Sequence, residues 1–246
     1  MFDILFAYIF SIYGNEYGCK MIKKIDILGI QLDNYTVREA IMCVERYLSD
    51  HVLNTIESIS LQMLIDSETN PVLKEVMSSL DLAIIGEKEI IQAAGLESMQ
   101  RIRETEENDF YFEFFKRIER NKKSVFLLGD TQEKIDSLKA ELTEDYPKLI
   151  FAGEYAVETC VGDLEAVIND MNATTPDVII SVLPSPMQEQ FLYEHRDKMN
   201  ANIWYGIGGV PVHKKKHGIL ARLKSIIHRG KLVNSMNKYD EKEEEL

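Results

Sequence analysis

The chain has 246 residues, of which 45% are hydrophobic and 28% charged, and it carries a formal net charge of −13. That length supports one sizeable core, or one core with a small appendage. The acidity argues against a general nucleic-acid binder, and the three scattered cysteines (Cys19, Cys43, Cys160) have neither CxxC nor metal-ligand spacing and read as reduced thiols of the cytosol.

At the amino end, Met1 to Ile12 (MFDILFAYIFSI) is apolar but shorter than the roughly 20 residues of a membrane span. It contains Asp3 and lacks the basic region of a signal peptide. Met21 then opens MIKKIDILGI, which reads as a protein start leading into a strand. Residues 1–20 are therefore expected to be either a non-native start-site extension or a weak apolar anchor.

Beyond Met21, short β-rich runs alternate with amphipathic stretches. The expected strands are Ile25–Ile30, Val52–Ile56, Leu82–Ile85, Val125–Leu128, Leu149–Ala152, Val178–Val182 and Ile203–Tyr205. The expected helices are Val37–Ser49, Ser60–Asp66, Pro71–Ser79, Glu89–Ala94, Phe110–Asn121, Glu133–Tyr146, Leu164–Asn172 and Pro186–Met199. Several strand runs are apolar throughout, as parallel strands buried on both faces require. The alternation predicts an α/β layered domain. Gly95 to Asn108 (GLESMQRIRETEEN) is polar and turn-like, and is expected to be a loop.

After Gly209 the rhythm breaks at Pro211 and the HKKKH block of His213–His217. Gly218 to Lys231 reads as a basic amphipathic helix, with Ile219, Leu220, Leu223, Ile226 and Ile227 on one face. Between Asp197 and Asp240 there are nine basic residues and no acidic one, so the rest of the chain holds 19 basic against 41 acidic residues, net −22. A basic block on an acidic body fits an anionic membrane surface or phosphate groups, or simply a solvated helix face. The final EKEEEL is expected to be disordered. His213 and His217 are four apart without a nearby carboxylate or third ligand, so no metal site is expected.

Three junctions carry candidate chemistry. In PDVIISVLPSPMQEQFL (Pro176–Leu192) a strand runs into a helix, where phosphate-bearing ligands bind in α/β proteins. Ser185 at the N-cap and Gln188 three residues on fit a capping box, a structural explanation that competes with a ligand role for Gln188. VFLLGDTQE has one glycine, Gly129, between strand and helix, and Asp130 with Glu133 fits another capping box. In YGIGG (Tyr205–Gly209) the glycines permit either a tight turn or close backbone approach to a ligand.

Taken in order, IDILGIQLDNYTVREAI, DLAIIG, SVFLLGDTQEKIDSLKAELTEDYPKLIFAGEY, PDVIISVLPSPMQEQFL and YGIGG resemble the WecG/TagA/CpsF glycosyltransferase family, from about Ile25 to Gly209. The resemblance implies a Rossmann-like fold with a mostly parallel sheet and a basic C-terminal helical appendage. It implies transfer of an N-acetylhexosamine, typically N-acetylmannosamine, from a UDP donor to a polyprenol-diphosphate-linked sugar; no metal or other cofactor is expected, because no metal-ligand cluster is visible in the sequence. Together with the composition of the two ends, this divides the chain into the extension 1–20, the glycosyltransferase-type domain 21–209, the basic appendage 210–238 and an acidic tail 239–246, expected to be disordered. Thr55, Gly129, Gln188, Glu189, Gly208 and Gly209 fall at substrate-binding positions. Lys214, Lys215, Lys216, Arg222 and Arg229 fall in the part that seats the enzyme on the inner face of the membrane. The family's catalytic Asp, part of an Asp-Gly pair, aligns with Gly86, which leaves Glu87 as the substitute base. The alternative is a catalytically degenerate member that acts as a binding or scaffolding protein. Homo-oligomerisation is an open state of assembly.

Overall fold

The computed structural model describes residues 24–96, 98–160, 164–208, 229–239 and 241. The expectations for residues 1–20, Gly209, the HKKKH block and Arg222 lie outside these residues.

The chain begins with strands β1 (Lys24–Ile27) and β2 (Ile30–Asp33), antiparallel, with Ile27 opposite Ile30. The single strand expected over Ile25–Ile30 is thus a hairpin. Leu28 and Gly29 take φ of 59° and 78°, and the Gly29 N–H donates to Asp26 Oδ1 at 2.8 Å. Positive φ at both turn residues matches the twist of a two-residue hairpin.

Helix α1 (Val37–Tyr47) follows, with a capping box between Thr36 and Glu39. Strand β3 runs Asn54–Ile59, and Ser60 caps α2 (Leu61–Asp66). Next come α3 (Pro71–Ser79), β4 (Leu82–Ile85) and α4 (Lys88–Ala93). The expected loop at 95–108 contains α5 (Met99–Glu106), capped by Ser98, and Asn108 at φ 55° starts α6 (Asp109–Arg120). The helix was hidden because Arg101 and Glu104, which read as surface charges, are buried against each other at 2.9 Å.

The second half contains β5 (Ser124–Gly129), α7 (Gln132–Asp145), β6 (Ile150–Ala156), α8 (Glu165–Ala173), β7 (Val178–Ser181), α9 (Met187–His195) and β8 (Ile203–Gly206). Thr131, not Asp130, caps α7, accepting from Lys134 N at 3.4 Å. Pro186, not Ser185, holds the N-cap of α9 and no side chain caps it. The capping box expected at Ser185–Gln188 does not form, because the Gln188 side chain turns inward.

One eight-stranded sheet has the order β1-β2-β4-β3-β8-β7-β5-β6, and every pair except β1·β2 is parallel. This is the α/β, Rossmann-like architecture. One face carries Ile59, Ile85, Leu128, Ile179 and Trp204 beneath α2, α3, α4, α8 and α9. The other carries Ile56, Ile84, Leu127, Ile180 and Tyr205 beneath α1, α6 and α7. Alternate residues of each central strand enter opposite cores, so β4, β7 and β8 are fully buried.

The amino edge of the sheet is tied by one device used twice. Asp81, just before β4, accepts from the Thr55 N–H at 2.8 Å and the Thr55 hydroxyl at 2.9 Å; the Asp81 N–H returns to Thr55 Oγ1 at 3.3 Å. Asp177, just before β7, accepts from the Ser124 N–H at 2.8 Å and its hydroxyl at 3.0 Å, and its own N–H returns to Ser124 Oγ at 3.1 Å. Each carboxylate satisfies a backbone donor that the parallel ladder leaves over at its first rung.

A helix at 229–239 returns to the body. Leu232 is fully buried in the first core, Ser235 Oγ donates to Glu68 Oε2 at 2.7 Å, and Lys74 Nζ lies 5.2 Å above the Tyr239 ring. Of the tail expected to be disordered, Tyr239 therefore belongs to this helix.

Candidate functional site

The carboxyl ends of β2, β3 and β4 open a cleft lined by Tyr35, Val37, Ser58, Gly86, Arg101, Glu104, Asn108 and Phe110, among others. This is the end of a parallel sheet where α/β proteins bind ligands. Its floor is set by strand parity: Ser58 points into it, and the Ser58 hydroxyl meets the Tyr205 hydroxyl at 3.1 Å. Burial raises the pKa of Tyr205, so the phenol stays protonated. The wall comes from α5. Arg101 Nε donates to Asn34 Oδ1 at 3.3 Å and its Nη1 to Glu104 Oε2 at 2.9 Å, while Glu104 Oε2 also accepts from Val37 N at 3.2 Å. The buried guanidinium–carboxylate pair thus staples the loop between β2 and α1 to the cleft wall.

Glu87 follows Gly86 directly, half-buried at the N-cap of α4 with extended backbone and no side-chain cap bond. Gly86 is part of the cleft lining, and Glu87 is its neighbour in the chain. Gly86 itself donates its N–H to Ile59 O at 2.9 Å, which binds the end of β4 to β3.

The neighbour of Ser58 on β3, Glu57, points to the opposite face and is fully buried. Gln188 and Glu189, from the first turn of α9, are fully buried beside it. Gln188 Nε2 donates to Glu57 Oε1 at 3.2 Å and to Glu189 Oε1 at 3.4 Å; Gln188 Oε1 accepts the Gly208 N–H at 3.3 Å. Burial, reinforced by the charge of Glu189, holds the Glu57 carboxyl well above the usual range, partly offset by Gln188 and Trp204. Burial also raises Glu189, against Ser185, its own backbone amide and Gln188. Gly206 makes room for this group. A Cβ there would stand 2.7 Å from Gln188 Cδ and 2.8 Å from Glu57 Cγ.

The structure brings together Gln188, Glu189 and Gly208 and leaves the other expected residues elsewhere. Thr55 sits at the amino edge of β3, engaged by Asp81. Gly129 ends β5 beneath α7, where a Cβ would meet Ile135 Cγ1 at 2.7 Å. Gly208 packs on the Leu183 carbonyl carbon, 2.6 Å from a Cβ. Arg229 donates to Gln92 Oε1 at 3.3 Å. Gly209, Lys214, Lys215, Lys216 and Arg222 lie outside the described residues. Among the described residues no group of three or more His, Cys, Asp or Glu is arranged to hold a metal ion, and no helix is long and apolar enough to cross a membrane.

Sequence reasoning missed Glu57, Ser58, Arg101 and Glu104. For Glu57 a signal existed: it is the one charge inside NTIESI, in a strand that neighbours on both sides must bury. For Arg101 and Glu104 there was none, since they sit among four other charges of Gly95–Asn108, Glu97, Arg103, Glu106 and Glu107.

The family model described as glycosyl transferase WecG/TagA/CpsF family matches residues 25–211. The chain is also similar to N-acetylglucosaminyldiphosphoundecaprenol N-acetyl-beta-D-mannosaminyltransferase of Staphylococcus aureus. In strains COL and NCTC 8325 / PS 47 it is 21% identical over 188 residues, covering 76% of this chain and 73% of the relative.

Proposed function

The chain belongs to the WecG/TagA/CpsF glycosyltransferase family, and from that membership we propose that it transfers an N-acetylhexosamine from a UDP-sugar to a polyprenol-diphosphate-linked sugar during synthesis of a cell-surface polymer. The observation that supports this reading is the strand-end cleft, with the Arg101 guanidinium in its wall and Gly86, the chain neighbour of Glu87, in its lining. In the reaction an acceptor hydroxyl attacks the anomeric carbon, its proton passes to Glu87, and the bond to UDP breaks with the electron pair leaving on the diphosphate. In this reading Glu87 supplies the base, and the Arg101 guanidinium offsets the growing negative charge. Gln188, Glu189 and Gly208 act in this reading by holding the turn after β8 in shape. Lys214, Lys215, Lys216, Arg222 and Arg229 seat the enzyme against anionic lipid at the inner face of the membrane.

A second reading is favoured by two observations: a glycine stands where the family's base is expected, and Gln188 and Glu189 spend their polar groups on each other, Glu57 and Gly208. In it the chain keeps the fold as a binding or scaffolding partner of the same pathway. A transfer assay with UDP-N-acetylhexosamines and a short-chain lipid acceptor separates the two. The first reading expects turnover that falls on the order of 10²-fold or more in Glu87→Gln. Turnover unchanged in that variant removes Glu87 as the base. Absence of turnover together with absence of UDP-sugar binding in calorimetry leaves the second reading.

A further inference from the structure

We propose that Glu57 and Glu189 hold a single proton between them, forming a neutral-plus-anionic carboxyl pair inside the core that positions Gln188 against Gly208. The hydrogen-bond inventory leads to it. Both hydrogens of the Gln188 amide are used, on Glu57 Oε1 and Glu189 Oε1, and its oxygen is used by the Gly208 N–H. Each carboxyl has a second oxygen, Oε2, that is buried without a partner. Two ionised carboxylates on one amide, out of reach of water, repel each other and leave their Oε2 atoms without a donor. One proton, carried on the outer oxygen of either carboxyl and donated to the other, removes one charge and gives both orphaned oxygens a partner.

The surroundings supply no competing cation among the described residues. Glu57 feels the Glu189 carboxyl, the Gln188 amide and the Trp204 indole; Glu189 feels Ser185, its own backbone amide and Gln188. The other strands on this face, β4 and β7, present Ala83, Ile85, Ile179 and Ser181. Gly206 keeps the space open, since any side chain there would displace Gln188 from Glu57. The proton is thus part of the fold, and through Gln188 it fixes the chain where it leaves β8 toward the basic block.

The sign of the linkage makes this measurable. The folded chain keeps a proton that the unfolded chain releases above the ordinary glutamate value of 4.5. Stability is therefore lost as pH rises, and one extra proton in the folded state makes the unfolding constant rise about tenfold per pH unit. Urea titrations of the full chain between about pH 6 and 8 read that slope, away from ordinary carboxylates. The wild type is expected to be steeper by about tenfold per unit than Glu57→Gln or Glu189→Gln, each of which replaces the proton by an amide hydrogen. Equal slopes in wild type and variants overturn the proposal. If neither variant folds, infrared spectra of the wild type decide: a protonated-carboxyl C=O band at neutral pH supports the shared proton, and its absence overturns it.

Discussion

Gln188 and Glu57 meet across 131 residues of sequence, amide nitrogen to carboxylate at 3.2 Å, in the gap that Gly206 leaves between their strands and helix. The contact converts a helix start that looked exposed to ligand into a buried brace. It also divides the top of the sheet. Glu57 serves the brace on one face, and Ser58, the next residue, serves the cleft on the other.

The brace depends on a missing side chain. Gly206→Ala places a methyl group 2.7 Å from Gln188 Cδ and 2.8 Å from Glu57 Cγ. Overpacking of this kind costs about 1–3 kcal/mol, to be measured by chemical denaturation. An alanine that leaves stability unchanged means the Gln188–Glu57 contact is not held as described.

Thr55 is predicted to support the fold and not the ligand. Thr55→Val removes the hydroxyl that bonds Asp81 Oδ2 and accepts from Asp81 N. The expected loss is about 1–2 kcal/mol of stability, with UDP-sugar affinity unchanged in calorimetry. A selective loss of affinity would return Thr55 to the substrate site.

The matching lock at Asp177 gives an acid-side prediction. Burial pushes the Asp177 carboxyl up, but Lys123 and the Ser124 amide and hydroxyl outweigh it and hold the group below its ordinary 3.8. Its stabilisation is present above that value and is lost as pH falls through the lower folded value. Asp177→Asn should therefore flatten part of the acid limb of a stability–pH curve, and an unchanged limb would count against the lock.

Arg101 is predicted to affect both fold and cleft. Arg101→Ala leaves Glu104, 8% exposed, without its cation. Breaking a buried pair from one side costs about 3 kcal/mol. Arg101→Lys keeps the charge and gives up the bond to Asn34, so denaturation should show a smaller loss. UDP-sugar binding should weaken in both variants if the cleft is the donor site.

The helix at 229–239 is predicted to be docked through Leu232. Leu232→Ala should cost about 2–4 kcal/mol, where an undocked surface position would change little. Denaturation with the full chain distinguishes the two.

Much of the fold was legible because burial on both faces writes itself as apolar runs: Leu82–Ile85, Val125–Leu128 and Val178–Val182 each fall on a strand. The misreadings have local physical causes. Ile25–Ile30 was one run because a leucine occupies a left-handed turn position, which apolar patterning cannot reveal. Residues 95–108 read as a loop because a buried ion pair has the same composition as a solvated surface. Ser185 and Gln188 had the spacing of a capping box, and the same Gln188 found a stronger set of partners on another strand.

By itself the sequence determined the layered α/β architecture, the positions of most elements and the family, since these follow from hydrophobic period and from motifs contiguous in the chain. Only the tertiary structure decided which side chains share a site. Parallel strand order sets β3 between β4 and β8 and turns Glu57 and Ser58 to opposite faces. That pairing joins Glu57 to Gln188 and Ser58 to the Gly86 cleft, because contacts between strands depend on register and parity that no single stretch of sequence contains.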